Sequence, residues 1–128
     1  MALTKSVATL VAAATSNAAA ATTRGVLDCR TYNGGRVTYK MTNGATGPTL
    51  QCTARLLVAH NTGATPAAGS AGADWKTIGV VVGNGVAINA INEWSYEFDA
   101  DVEHLEIEFT GNTGQAVVVE AFVSAYIL

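Results

Sequence analysis

The chain has 128 residues, near the commonest size for one domain, and 49% of them are hydrophobic, so it can bury a core without covalent staples. Its net charge is −3, and its seven cations (Lys5, Arg24, Arg30, Arg36, Lys40, Arg55 and Lys76) are scattered, which argues against nucleic acid as a partner. Charged residues make up only 13%, about half the usual share. The remaining surface is either covered by Thr, Asn, Ser and Gly or kept for a partner.

Residues 1–21 read MALTKSVATLVAAATSNAAAA. One lysine, an apolar run and spaced alanines imitate a secretory signal. However, only Val7, Leu10 and Val11 are large and apolar, and Ser, Thr and Asn interrupt the run. Alanine favours a helix over Ser6–Ala21, but the same interruptions favour an extended N-terminal arm or a first strand. The segment has little core potential, so its removal is expected to weaken assembly more than folding. No stretch approaches the roughly 18 uninterrupted apolar residues of a membrane span, so no membrane partner is expected.

Period-two alternation marks the strands that follow. Residues 27–32 and 36–42 flank Asn33-Gly34-Gly35, a turn composition, and so predict a hairpin. Val37, Tyr39 and Met41 point inward. A loop over 43–49 leads to a strand over 50–58, with Leu50, Cys52, Ala54, Leu56 and Val58 on one face. Residues 61–74 (NTGATPAAGSAGAD) predict a long flexible loop. A strand over 75–82, a tight turn at Gly83-Asn84-Gly85 and a return strand over 86–91 come next. Residues 94–99 place Trp94, Tyr96 and Phe98 inward, and residues 105–109 alternate in the same way. The final strand, 116–127, is apolar on one face (Val117 to Ile127) and carries Val118, Phe122 and Tyr126 on the other, which suits a central strand or an interface. Seven or eight antiparallel strands with short turns predict an all-β domain, a β-sandwich or jelly roll over residues 22–128, preceded by the arm or first strand over 1–21.

Chemistry is sparse. Cys29 and Cys52 fit no zinc pattern and read as buried free thiols, although a cross-strand disulfide is geometrically conceivable. His60 ends a strand, and His104 alternates with Glu106 and Glu108 on a polar face. Glu93, Glu97, Asp99, Asp101, Glu103, Glu106 and Glu108 form the densest charge. Asp99, Asp101 and Glu103 are candidates for calcium and paired carboxylates for glycoside hydrolysis, but alternation with apolar residues reads as a solvated acidic face. Gly83-Asn84-Gly85 lacks the third glycine and the helix of a nucleotide loop. Trp75, directly after the loop, is the better tryptophan for partner contact, whereas Trp94 reads as core. The expectation is therefore a non-enzyme with no catalytic, cofactor-binding or metal residue.

The order of elements is familiar. Val26-Leu27-Asp28 and Gly35-Arg36-Val37-Thr38-Tyr39 precede a small-residue loop that ends in Ala73-Asp74-Trp75. Trp94-Ser95-Tyr96-Glu97-Phe98, then residues 105–114 (LEIEFTGNTG), precede a valine-rich last strand. This pattern resembles the small β-sandwich virion proteins of tailed bacteriophages, especially capsid decoration (cement) proteins. The resemblance covers the chain from about Ala12 and carries no functional residue over. It implies synthesis in the host cytoplasm and a place in the virion. The partners would be the major capsid protein and neighbouring copies of the chain, with stabilisation of the shell as the role. Other virion positions (collar, tail tube or fibre base) are alternatives. So is a secreted carbohydrate-binding module with Trp75 exposed.

Overall fold

The computed structural model describes residues 2–69 and 74–128, and among these there are eight strands and no helix. They are β1 (Thr4–Asn17), β2 (Thr23–Asp28), β3 (Gly34–Asn43), β4 (Thr53–Ala59), β5 (Lys76–Gly83), β6 (Ile91–Asp99), β7 (His104–Thr110) and β8 (Val117–Ile127). Two four-stranded sheets have the orders β1-β8-β3-β6 and β2-β7-β4-β5, and every pairing is antiparallel. Four pairs, β4–β5, β3–β6, β2–β7 and β1–β8, describe one long two-stranded ribbon closed by the β4–β5 connection. Rolling that ribbon brings β3 beside β8 and β4 beside β7. This is a jelly-roll sandwich, the more specific of the two architectures expected.

The core lies between the sheets. β8 contributes Val117, Val119, Ala121, Val123 and Ala125, and β3 contributes Val37, Tyr39 and Met41. β7 and β4 answer with Leu105, Ile107, Phe109, Ala54, Leu56 and Val58. Tyr39 meets Phe109 edge to face, with ring centroids 6.2 Å apart. These are the residues that the alternation assigns inward. Leu50 is one exception: it lies before β4, in an isolated bridge with Thr113, and is exposed.

Four expectations are settled or corrected. Of the two readings of the N-terminal segment, arm or first strand, the second holds. It is β1, paired with β8 from Thr4 to Asn17, with Val11 in the core. Alanine's helical preference yields to that ladder and its burial. A register shift between Val11 and Thr15 is absorbed at Ala14, whose φ is 62°.

The hairpin expected around Asn33-Gly34-Gly35 does not form. β2 and β3 lie in different sheets, and Gly34 already belongs to β3, opposite Asp99 and Tyr126. Nor does Gly83-Asn84-Gly85 turn a hairpin. β5 ends there, residues 86–90 are a loop, and β6 begins at Ile91 in the other sheet. The chain crosses because Asn84 is pinned inside. Its N–H donates to the Cys52 carbonyl at 3.0 Å, and its Nδ2 donates to Asn43 Oδ1 at 2.8 Å.

The fourth correction concerns the outer face of the second sheet at β7, which is not solvated. β7 is buried on both faces, with His104, Glu106 and Glu108 beneath the segment that follows β4.

Candidate functional site

Two regions gather the residues that chemistry would single out. The first is the covered acidic face. Glu108 accepts from Arg55 Nε at 2.7 Å and from Arg24 Nη2 at 3.0 Å. Glu106 lies 3.1 Å from Arg24 Nε and also accepts the Gly69 N–H at 3.2 Å. His104 Nε2 donates to the Asn61 carbonyl at 2.9 Å, and its Nδ1 bonds the Thr65 hydroxyl at 2.9 Å. Trp75 Nε1 donates to the Ala67 carbonyl at 3.0 Å, while its ring packs on Leu57 and Ala59. Residues 61–69 are thus strapped to the rest of the domain by three side chains, Glu106, His104 and Trp75. Part of the loop expected over 61–74, residues 70–73, lies outside the described residues.

The electrostatics follow from this burial. Burial pushes the Glu108 carboxyl up, but the hydrogen bonds from Arg55 and Arg24 outweigh it and hold the group below the usual range. For Glu106 burial wins over the Gly69 N–H and Arg24, and the neighbouring Glu108 charge adds to it, so its carboxyl sits above the usual range. Both carboxylates, the imidazole and the indole N–H are engaged within the protein. The arrangement holds a strap down.

The remaining sequence candidates are dispersed. Trp75 is 6% exposed, so it is not a contact residue, and the carbohydrate reading that depended on it loses its platform. His104 is fully buried and His60 is exposed just after β4. Asp99, Asp101 and Glu103 do not converge on a common ligand position among the described residues. Glu97 pairs with Arg36 across β3–β6, and Glu93 lies opposite Lys40, which pairs with Glu120 at 3.2 Å. Both thiols are free and buried. Burial, with Asp28 adding, pushes Cys29 up to about 12, and burial pushes Cys52 to about 11.

The second region is an apolar edge. β5 and β6 are edge strands stacked at the same side of the sandwich. β5 carries an irregularity opposite Arg55: Ala54 pairs with Val82 and Leu56 with Ile78, so Gly79, Val80 and Val81 face one β4 residue. Gly79 makes the bend with a φ of 66°, a conformation that favours glycine. Val80 and Val81 are pushed out and are 68% and 52% exposed.

Trp94 shares the inward face with Tyr39, its partner on β3. Its neighbours on that face bracket the bulge, because Tyr96 lies over Gly79 and Asn92 Nδ2 donates to the Gly83 carbonyl at 3.0 Å. At the open edge Trp94 is 47% exposed, so it is not the core residue that alternation suggests. Val86, Ile88 and Ile91 continue the exposed apolar surface along the connecting loop. Alternation locates the face of Trp94 correctly but cannot tell an edge strand from a central one.

No protein-family model matches the chain, and no curated protein matches it in sequence. Solved structures do. A chain from the structure of infectious bursal disease virus Gx strain is similar over 98% of this chain and 32% of its own length, with a TM-score of 0.56 and 9% identity. The SPBc2 prophage-derived protein YomS is similar over 97% of this chain and 96% of its own, with a TM-score of 0.47 and 14% identity. A family 16 carbohydrate-binding module is similar over 83% and 70%, with a TM-score of 0.45 and 6% identity. At these identities the likeness concerns the fold.

Proposed function

We propose that this chain is a structural protein of a phage virion, a decoration protein that seats its β5–β6 edge on the outer surface of the assembled shell. The observation that supports this best is the cluster of Val80, Val81, Val86, Ile88, Ile91 and Trp94, all exposed along one edge of a small domain. An exposed apolar patch of this kind marks a protein contact. Desolvating it supplies binding energy without any catalytic group, and repetition over many identical shell sites multiplies a modest single contact. The partners are the major capsid protein and neighbouring copies of the chain, and the protein acts as a clamp rather than as an enzyme.

The low charge of the chain and its resemblance to phage decoration proteins agree with this reading. The fold alone does not decide it, since jelly rolls serve many functions. The test is cosedimentation of the purified protein with undecorated shells of its phage. Wild type is expected to bind, whereas Ile88→Glu and Trp94→Asp, both at exposed positions, are expected to fold and not bind. Absence of the protein from purified virions, or unchanged binding by both variants, would overturn the proposal.

A further inference from the structure

The outer face of the β1-β8-β3-β6 sheet has a gap in its cover of side chains. Gly34 of β3 aligns with Tyr126 of β8 on one side and with Asp99 of β6 on the other, and Tyr126 aligns with Lys5 of β1. A row across four strands therefore carries Lys5, Tyr126, no side chain, and Asp99. The next outward row carries Val7, Ser124, Arg36 and Glu97. Beside that gap lies a shallow depression of 390 Å³ with Lys5, Tyr126, Arg36, Ser124, Glu97 and Asp99 along its walls. Tyr126 leans across the glycine: a Cβ on Gly34 would lie 2.7 Å from the hydroxyl and 3.0 Å from Cε1 of the ring. The half-exposed ring thus lies low in the depression, against backbone.

The charges around it balance. Arg36 is engaged by Glu97 and by Ser95, whose hydroxyl it reaches at 3.0 Å. Lys5 and Asp99 face the depression without a polar partner among the described residues, and the Tyr126 hydroxyl is also unbonded. Two cations and two carboxylates leave no net field to select an ion. A phosphate or sulfate would meet two carboxylates, and an organic cation would meet Lys5 and Arg36. What remains is an aromatic ring between separated donors and acceptors. A neutral polyhydroxylated molecule matches this, because its hydroxyls donate and accept and its C–H face packs on an aromatic ring.

We propose that this depression binds a neutral saccharide, with one sugar ring on Tyr126, hydroxyls donating to Asp99, and hydroxyls accepting from Lys5 and Arg36. Three strand spacings of about 4.8 Å separate Lys5 from Asp99, about 14 Å at the backbone, so the depression suits a short oligosaccharide better than a single ring. On a shell seated through the β5–β6 edge, such a site would be a second binding surface. It does not depend on the virion reading, which concerns different residues.

The test is an NMR titration of the ¹⁵N-labelled chain with neutral trisaccharides of glucose, galactose and mannose, and with their sulfated forms. At least one neutral trisaccharide is expected to shift the amides of Gly34, Gly35 and Ser124 saturably at millimolar concentration. Tyr126→Ala and Asp99→Asn are each expected to weaken that binding about tenfold or more, and Trp94→Ala to leave it unchanged. Asp99 is exposed, so its variant keeps the test valid if Tyr126→Ala unfolds. No saturable shift from any neutral trisaccharide, shifts confined to other residues, or a preference for sulfated sugars abolished by Lys5→Ala would overturn the proposal.

Discussion

Asn17 and Asn112, 95 residues apart, are joined in the interior by a hydrogen bond from Nδ2 of Asn17 to Oδ1 of Asn112 at 2.6 Å. Asn112 Nδ2 in turn donates to the carbonyls of Asn17 and Gln115, both at 3.0 Å. Asn43 and Asn84 repeat the device at the end of β3. In both cases one amide satisfies backbone groups where the chain leaves a sheet. Asn112→Ala is therefore expected to cost about 2–4 kcal/mol, since it strands buried carbonyls. Asn112→Asp, which keeps the acceptor but loses the donor and buries a charge, is expected to cost at least as much. Urea denaturation of both variants checks this, and a loss under about 1 kcal/mol would show that water replaces the amide.

Removal of residues 2–14 is expected to lower folding stability severely, because it takes most of an edge strand and the buried Val11. Gly25→Ala probes the same contact with one atom. The added Cβ would lie 2.3 Å from the Leu10 carbonyl oxygen, which is backbone and cannot swing aside. A loss of about 1–3 kcal/mol is expected from such overpacking. A truncated chain that melts at the wild-type temperature would contradict the integral role of β1.

The two buried carboxylates of β7 predict opposite pH responses. Glu108 has a lowered value in the folded protein, so its stabilisation is present above the unfolded carboxylate pKa and is lost as pH falls through the folded value. The stability advantage of wild type over Glu108→Gln should therefore shrink below about pH 4.3. Glu106 has a raised value, so its ionisation costs stability as pH rises from the unfolded towards the folded value. Compared with Glu106→Gln, wild type should gain stability as pH falls through that range. Urea midpoints measured from neutral to acid pH separate the two, and parallel curves for both variants would refute the assignment.

Cys29 and Cys52 are expected to resist thiol reagents in the native protein at pH 8. Their raised values leave almost no thiolate and the core excludes the reagent. Labelling should occur at the rate of global unfolding and rise with urea. Rapid labelling in the absence of denaturant would show local opening of the core.

How far the sequence can be read depends on whether a signal is local. The inward residues of β3, β7 and β8 are legible, because a period of two fixes the face whatever the partner. Partners themselves are not local. Asn33-Gly34-Gly35 and Gly83-Asn84-Gly85 have turn chemistry, yet each leads into the opposite sheet, because pairing is decided by strands far along the chain. The covering of the polar face of β7 is illegible for a related reason. His104, Glu106 and Glu108 alternate identically under water and under a strap of protein. The available hint was Trp75, a large ring at the foot of a loop too poor in apolar residues to bury it. Of the proposed sites, the apolar edge is half legible in its valines, whereas the glycine gap beside Tyr126 exists only in the register of four strands.

The ribbon topology bears on when this protein can fold. Only β4 and β5 are neighbours both along the chain and within a sheet; every other ladder joins distant segments. β8, the last of the eight to emerge from a ribosome, is not an edge but lies between β1 and β3. Until it arrives, one sheet is split and β1 has no partner, so closure is expected to wait for β8 and to be slow for a domain of this size. During that interval, β3 presents an open flank to any neighbouring strand. A cell making many copies would therefore face its greatest risk of misassembly before the last strand is in place.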